Sequence, residues 1–287
     1  MYNPSCQLNM KATLYILSSF GLGAMKASIV KSLNSSIPIS LVVFLQFFLC
    51  AIFFLPKVIR SRGQLIVSQR YCALITRGLL GTAYWYCMFS AVNYLSLFNV
   101  STLTNLSPIW VLLITGIFID KSIKNDLLFL AIIGFIGCLL ILKPSVEILT
   151  SGIIFGLLSG IFMALTIISL HNLLKTETSD RVLVYYFWIS SLIMLPFLVD
   201  FNITQVSSKD WILLLVNALL MLLHQILLNK GLEIGLATEM SILAYSSVVF
   251  SLILSVVIWQ EIPDNFSIIG AIIIILSGVY ISRRQKS

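Results

Sequence analysis

The chain has 287 residues, of which 59% are hydrophobic and only 10% charged, and its mean hydropathy is +1.03. A water-soluble domain carries nearer a quarter charged residues, so this balance excludes an ordinary soluble globule and points to a polytopic membrane protein. The net charge of +7 sits in short connections between apolar runs, not in one stripe or tail. That placement sets membrane orientation and argues against a nucleic-acid partner, leaving the lipid bilayer and a small-molecule solute.

A hydrocarbon core about 30 Å thick takes roughly 20 apolar residues per helix. Runs of this kind are predicted at about 12–33, 39–57, 71–93, 97–119, 127–142, 151–172, 182–200, 211–230, 236–260 and 266–282, ten in all. Met10-Lys11, after MYNPSCQLN, reads as an alternative start, and the first run has no small-residue cleavage pattern behind it.

The first run contains GLGAMKASIVKS, with Lys26 and Lys31 inside it. Lys31 lies near the run's end, where its stem can snorkel to the headgroups. Lys26 lies five residues deeper, about 7.5 Å at the helical rise. A charge there costs at least about 2.5 kcal/mol if it faces lipid, so Lys26 is expected to face a wet cavity or a partner. The possible partners are Glu239, a backbone carbonyl or the solute itself, and on this reading Lys26 lines the path of a carboxylate-bearing solute.

Helix three carries Tyr84, Trp85 and Tyr86, aromatic walls of the kind small-molecule sites use. In helix four, Ser101, Asn105 and Pro108 lie at i, i+4 and i+7 on one face. Pro108 frees a backbone carbonyl, which can kink the helix or bind a solute. Helix six has Gly152, Gly156, Gly160 and Ala164 at every fourth position. Such a smooth face allows close helix approach, either as fixed packing or as a sliding surface. Helix eight offers His224 and Gln225, with no second His, Cys or carboxylate at ligand spacing, so no metal is expected. Helix nine begins with Glu239, the deepest of the eleven acidic residues, followed by Ser241 and Tyr245. These last two stand 140 positions after Ser101 and Asn105.

The five cysteines are scattered without a Cys-x-x-Cys pair, so neither a disulfide framework nor a metal cluster is expected. No cofactor motif and no nucleophile elbow, zincin or phosphate-loop signature is present, and no catalytic role is expected. With the N-terminus inside, fourteen of the eighteen basic residues fall in inner flanks, Arg77 among them, and four (Lys26, Lys31, Lys143, Lys209) fall outside. Both termini are therefore expected in the cytoplasm.

The chain also repeats. NVSTLTNLSPIWVLLITGIFIDKS (99–122) and ATEMSILAYSSVVFSLILSVVIWQEI (237–262) each run from small or hydroxyl residues into an apolar helix closed by an acid. The units are roughly 12–143 and 151–282, five helices each. An odd number inverts the second copy, giving an all-α fold of ten transmembrane helices as two inverted five-helix repeats, with a midplane site between them.

The stretch RGLLGTAYWYCMFSAVNYLSLFNVSTLTNLSPIWVLLITGIFIDKSI (77–123) resembles helices three and four of the drug/metabolite transporter superfamily, EamA-like branch. Asp120 stands where that pattern closes helix four with Glu, the second copy keeps Glu261 but has Val248 for the proline, and Gln46 replaces an arginine often found in helix two. The resemblance implies a central cavity lined by helices 1, 3, 4, 6, 8 and 9, with helices 5 and 10 peripheral. It implies a secondary carrier of small organic metabolites, monomeric or homodimeric, in a bacterial cell inner membrane. The related small multidrug pumps use a first-helix glutamate to exchange protons. Helix one here has no acid, which favours facilitated or exchange transport of an amino-acid-like, zwitterionic or anionic solute. The chain also resembles the S-adenosylmethionine uptake carriers of intracellular bacteria, which keeps that solute as an alternative. A non-transporting sensor or scaffold is the alternative of another class.

Overall fold

The computed structural model describes residues 10–33, 35, 37–118, 129, 132–134, 136, 137, 140, 151–198, 206–234 and 243–284. The described residues are helical or in short connections. The helices are α1 (Met10–Lys31), α2 (Ile39–Arg60), α3 (Tyr71–Val92), α4 (Leu97–Thr104), α5 (Ser107–Phe118), α6 (Ser151–Leu174), α7 (Ser179–Met194), α8 (Ser208–Ile234), α9 (Ser246–Trp259) and α10 (Asn265–Arg284). Five segments have the length and composition of membrane spans: Met10–Lys31, Ile39–Arg60, Ser151–Leu174, Ser179–Leu198 and Ser208–Glu233. Shorter apolar helices cover Ser246–Trp259 and Asn265–Ser277. More than half of the predicted span at 127–142 falls outside the described residues, as does the start of the predicted ninth.

The exterior is apolar. Ile52, Phe53, Leu192, Leu219, Val257 and Leu276 all project outward. In a bilayer these meet lipid, and what holds helices together is close packing and buried polar contact. The interior is correspondingly rich in small and hydroxyl residues: Ser19, Thr82, Thr102, Ser159, Ser190 and Ser255 are fully or almost fully buried.

The main interfaces cross between the two halves of the chain. α3 packs most extensively on α6, and α1 on α8, while α2 meets α7, and α4 meets α9. Each pairing maps onto itself or onto another of the set when the halves are exchanged. A cluster of α2, α3, α7 and α8 residues (Phe47, Phe54, Trp85, Phe89, Tyr186, Phe187, Met221) fills one side of the molecule.

The predicted fourth helix is two pieces. α4 is capped at its start by Ser96, whose hydroxyl accepts from the Asn99 amide, and it stops at a turn over Asn105–Leu106 before α5 begins at Ser107. Pro108 lacks the N–H that would bond back to residue 104, so the break follows from its ring. A turn at Ala244–Tyr245 precedes α9 in the same way, 139 positions later. The glycine face of α6 closes on this break: a Cβ on Gly160 would lie 2.9 Å from the Leu103 carbonyl oxygen, and one on Gly156 would overlap the Leu103 side chain.

Candidate functional site

The face of α1 that carries Ser19, Gly23 and Lys26 turns to α8. The His224 Nδ1 lies 2.7 Å from the Ser19 carbonyl oxygen and 2.9 Å from its hydroxyl, which in turn donates to the His224 carbonyl at 3.0 Å. Donation from Nδ1–H to the Ser19 carbonyl leaves Nε2 as the acceptor nitrogen of the ring. A Cβ at Gly23 would sit 3.7 Å from the same imidazole, so the small residue admits the ring. His224 is a buried bridge between α1 and α8.

Lys26 lies one turn further along and is 0% exposed. Its Nζ is 3.4 Å from the centre of the Trp85 ring and 2.8 Å from the Met221 sulfur, with Phe89 beyond. The expected partners were Glu239, a carbonyl or the solute; the partner is the face of an indole. Cation–π contact with a desolvated ring reaches about 2 kcal/mol or more, which offsets part of the cost of burial. The residue does turn away from lipid, but Trp85 and Met221 cover it, and it borders neither cavity described below.

Two small cavities lie between the halves. The first, about 20 Å³, is bordered by Ser101, Asn105, Ser247 and Ser251. There the Asn105 Nδ2 donates to the Ser247 hydroxyl at 2.7 Å and to the Ser101 carbonyl at 2.7 Å, tying α4 to α9. The Asn105 Oδ1 is buried without a hydrogen-bond partner among the described residues. The second cavity, about 40 Å³, is bordered by Arg77, Thr166, Tyr186 and Gln225. Phe20, Tyr84, Met163 and His224 border both and stand between them. Volumes of this size hold a water or two and leave no room for a whole organic solute. A larger hollow of about 610 Å³ is a groove on the outer surface beside Phe53, Lys57 and Lys230, away from this interior.

Arg77 corrects the reading of the basic residues. Counted with the flanks that set orientation, it is 1% exposed inside α3. Its guanidinium stacks on Tyr186 at 3.9 Å, and a side chain at Gly81, one turn on, would collide with both. Its Nε and Nη1 have no hydrogen-bond partner among the described residues, and neither do the Gln225 Oε1 and the Thr166 hydroxyl. The signal for it was available: an arginine followed four residues later by glycine leaves room on one helix face for a long side chain to fold back.

Of the other sequence candidates, Tyr84, Ser101, Asn105, His224 and Gln225 come together around the cavities. Tyr86 does not. It is 37% exposed, because two positions on from Tyr84 a helix has turned about 200°, and its ring faces outward. Tyr245 is buried, yet it borders neither cavity, and its hydroxyl has no partner among the described residues. Glu239 and Ser241 lie outside the described residues, as does the Pro108 side chain. Ser247, two residues beyond Tyr245, is the residue of α9 that bonds to Ser101 and Asn105.

Both ends of the interior are tied shut. At one end Lys31, expected to anchor in headgroups, instead pairs with Glu261, and the Trp259 Nε1 donates to the Ser28 hydroxyl at 3.2 Å. At the other end the α2–α3 loop meets the α6–α7 connection. The Ser68 hydroxyl donates to Glu177 at 2.6 Å, Arg181 pairs with Glu177 and donates to the Gln64 carbonyl at 2.8 Å, and Lys57 pairs with Asp180 at 2.6 Å. Burial pushes the Glu177 carboxyl up, but the hydrogen bonds from Ser68 and Arg181 and the charges of Arg181 and Arg70 outweigh it, leaving the group below its ordinary range.

Comparison with known proteins follows the same lines. The profile of the EamA-like transporter family matches twice, over residues 10–143 and 150–283. A pseudopaline exporter of Pseudomonas aeruginosa is 26% identical over 274 residues, 95% of this chain and 96% of that one. An S-adenosylmethionine uptake transporter of Rickettsia conorii is 28% identical over 248 residues, covering 85% and 83%. A solved crystal structure superposes with a TM-score of 0.68 at 16% identity, over 96% of this chain and 98% of the other, which speaks to fold alone.

Proposed function

The chain belongs to the EamA-like transporter family, and from that membership and the geometry of its interior we propose that it carries a small organic solute across a bacterial inner membrane by alternating access. The two matched segments would be inverted five-helix repeats, a layout supported by the cross-half pairings and by the equivalent turns at Asn105–Leu106 and Ala244–Tyr245. The observation that carries the reading is the pair of small cavities between the halves, bordered by residues with buried polar atoms that are unpartnered among the described residues, and flanked by polar contacts at both ends. This is the arrangement of an occluded carrier, with broken helices presenting polar groups near the midplane.

Two buried basic side chains, Lys26 and Arg77, give the interior a positive character, and among the described residues none that borders either cavity is a carboxylate. A purely cationic solute would be repelled, so the favoured cargo is zwitterionic or anionic and amino-acid-like. Similarity to the Rickettsia uptake transporters keeps S-adenosylmethionine as the second candidate. One similar protein is named an exporter and the other an uptake transporter, so direction belongs to the assay. A charge bias that supports cytoplasmic termini survives the removal of Arg77 from the flanks.

Proteoliposomes exchanging an isotope-labelled bacterial small-molecule extract test the function. The wild type should accumulate a defined set of solutes above empty vesicles. Asn105→Ala and Ser247→Ala, which remove the α4–α9 bridge and little volume, should each lower that exchange about tenfold at equal protein abundance. Exchange no greater than in empty vesicles would overturn the carrier reading.

A further inference from the structure

We propose that Arg77, with Thr166 and Gln225, is the head-group subsite of this carrier, taking the carboxylate of an amino-acid-like solute; the inference rests on the carrier reading above. Arg77 lies in α3 about two turns from its start and is buried among apolar walls that include Phe20, Ile167, Leu170 and Leu228. A guanidinium there must be matched or it is a costly lone charge. Tyr186 covers its face, and its hydroxyl accepts a hydrogen bond from the guanidinium, which leaves the rest of the fork unmatched. The N–H groups lie in the guanidinium plane, and two of the nitrogens that bear them have no acceptor among the described residues. The cavity that Arg77 borders is lined by no carboxylate among the described residues. What this geometry lacks is a planar anion approaching edge-on, which is the ligand that arginine holds best.

The rest of the cavity wall narrows the class. The Gln225 Oε1 is an acceptor without a donor, and the Thr166 hydroxyl is equally unpartnered among the described residues. An ammonium group beside the carboxylate would supply the donor, so the walls are complementary to a zwitterion more than to a simple anion. Gly81 is part of the same device. A Cβ there would lie 2.8 Å from the Tyr186 hydroxyl oxygen and collide with the Arg77 Nη1, so only glycine lets the stacked pair lie against α3. With about 40 Å³ available, the cavity must widen by side-chain movement to take a head group, and it has no room for a body. The body lies across the partition of Phe20, Tyr84, Met163 and His224, toward Asn105 and Ser247.

The test uses the full-length protein in proteoliposomes supplied with a ¹³C-labelled bacterial small-molecule extract, followed by pure samples of the solutes that exchange and their methyl esters. Wild type should exchange solutes that carry a carboxylate next to an amino group, and their methyl esters should fail to compete. Arg77→Lys keeps the charge and loses the planar fork, so KM should rise about tenfold with kcat little changed. Arg77→Met should lose about a hundredfold or more in kcat/KM. Gly81→Ala, which keeps the guanidinium but displaces it, should reproduce the rise in KM, and it decides the matter with Arg77→Lys if Arg77→Met does not fold. The proposal is overturned if the exchanged solutes lack an acidic group, if methyl esters compete as well as the free acids, or if the Arg77 and Gly81 variants keep the wild-type KM. Exchange equal to empty vesicles would instead overturn the carrier reading on which it stands.

Discussion

Lys26 shows how a residue can be singled out correctly and its partner misread. Its depth in α1 was legible from spacing alone, because a charge that far from either end of an apolar run cannot be left facing lipid. The ring that covers it comes from α3, and no pattern within α1 names Trp85. Since the amine rests on an indole and a thioether and meets no acid among the described residues, methionine should substitute for it with little strain. Detergent-solubilised Lys26→Met is expected to unfold at a temperature no lower than wild type, as replacement of a buried charge by an apolar side chain of similar length often does. Lys26→Ala should unfold several degrees lower, because it leaves a void beneath Trp85. Lys26→Met should also raise the KM for carboxylate-bearing solutes a few-fold by removing one positive charge from the interior. A clear fall in its unfolding temperature would mean that the charge, and not the volume, holds this site together.

At the scale of the element, the informative pair is the broken fourth helix and the glycine face of α6. Both were written in the sequence: Pro108 announced a disturbed backbone, and the four-residue glycine spacing announced a close approach. That the two features belong to one contact was not legible, since their meeting depends on how the halves pack. The surroundings of Gly160 are mostly backbone, and a carbonyl cannot swing aside as a side chain can. Gly160→Ala is therefore expected to cost about 1–3 kcal/mol, the usual range for overpacking, and to lower transport at equal expression. Gly21→Ala is the control: its Cβ would meet the Phe250 ring at 3.5 Å, an ordinary contact, and should change the unfolding temperature by less than about 2 °C. Equal effects from the two substitutions would show that α6 tolerates a wider separation from the break than this packing implies.

For the molecule as a whole, the sequence carried the apolar spans, the twofold repetition and the polar residues of helices three, four and eight. It left Arg77 among the orientation charges and Lys31 among the anchors, because a flank residue and a latch residue look alike until the opposite element is in place. The two latches use different chemistry at opposite ends. Lys31 and Glu261, with the Ser255 hydroxyl 3.4 Å from the same carboxylate, join α1 to the end of α9. Glu177 gathers Ser68 and Arg181 at the other end. If each latch holds one side closed, breaking one should expose the interior from that side only. In a cysteine-free background, Ser251→Cys reports on the cavity beside Asn105, and Thr166→Cys reports on the cavity beside Arg77. Removing one partly exposed ion pair is worth about 1 kcal/mol, or roughly a fivefold shift between closed and open populations. Glu261→Gln should thus raise labelling of Ser251→Cys by a membrane-impermeant maleimide about fivefold from the Lys31 side and leave it unchanged from the other. Glu177→Gln should do the converse for Thr166→Cys. Labelling that rises equally from both sides in either variant would mean that the contacts hold the bundle together and do not close its ends.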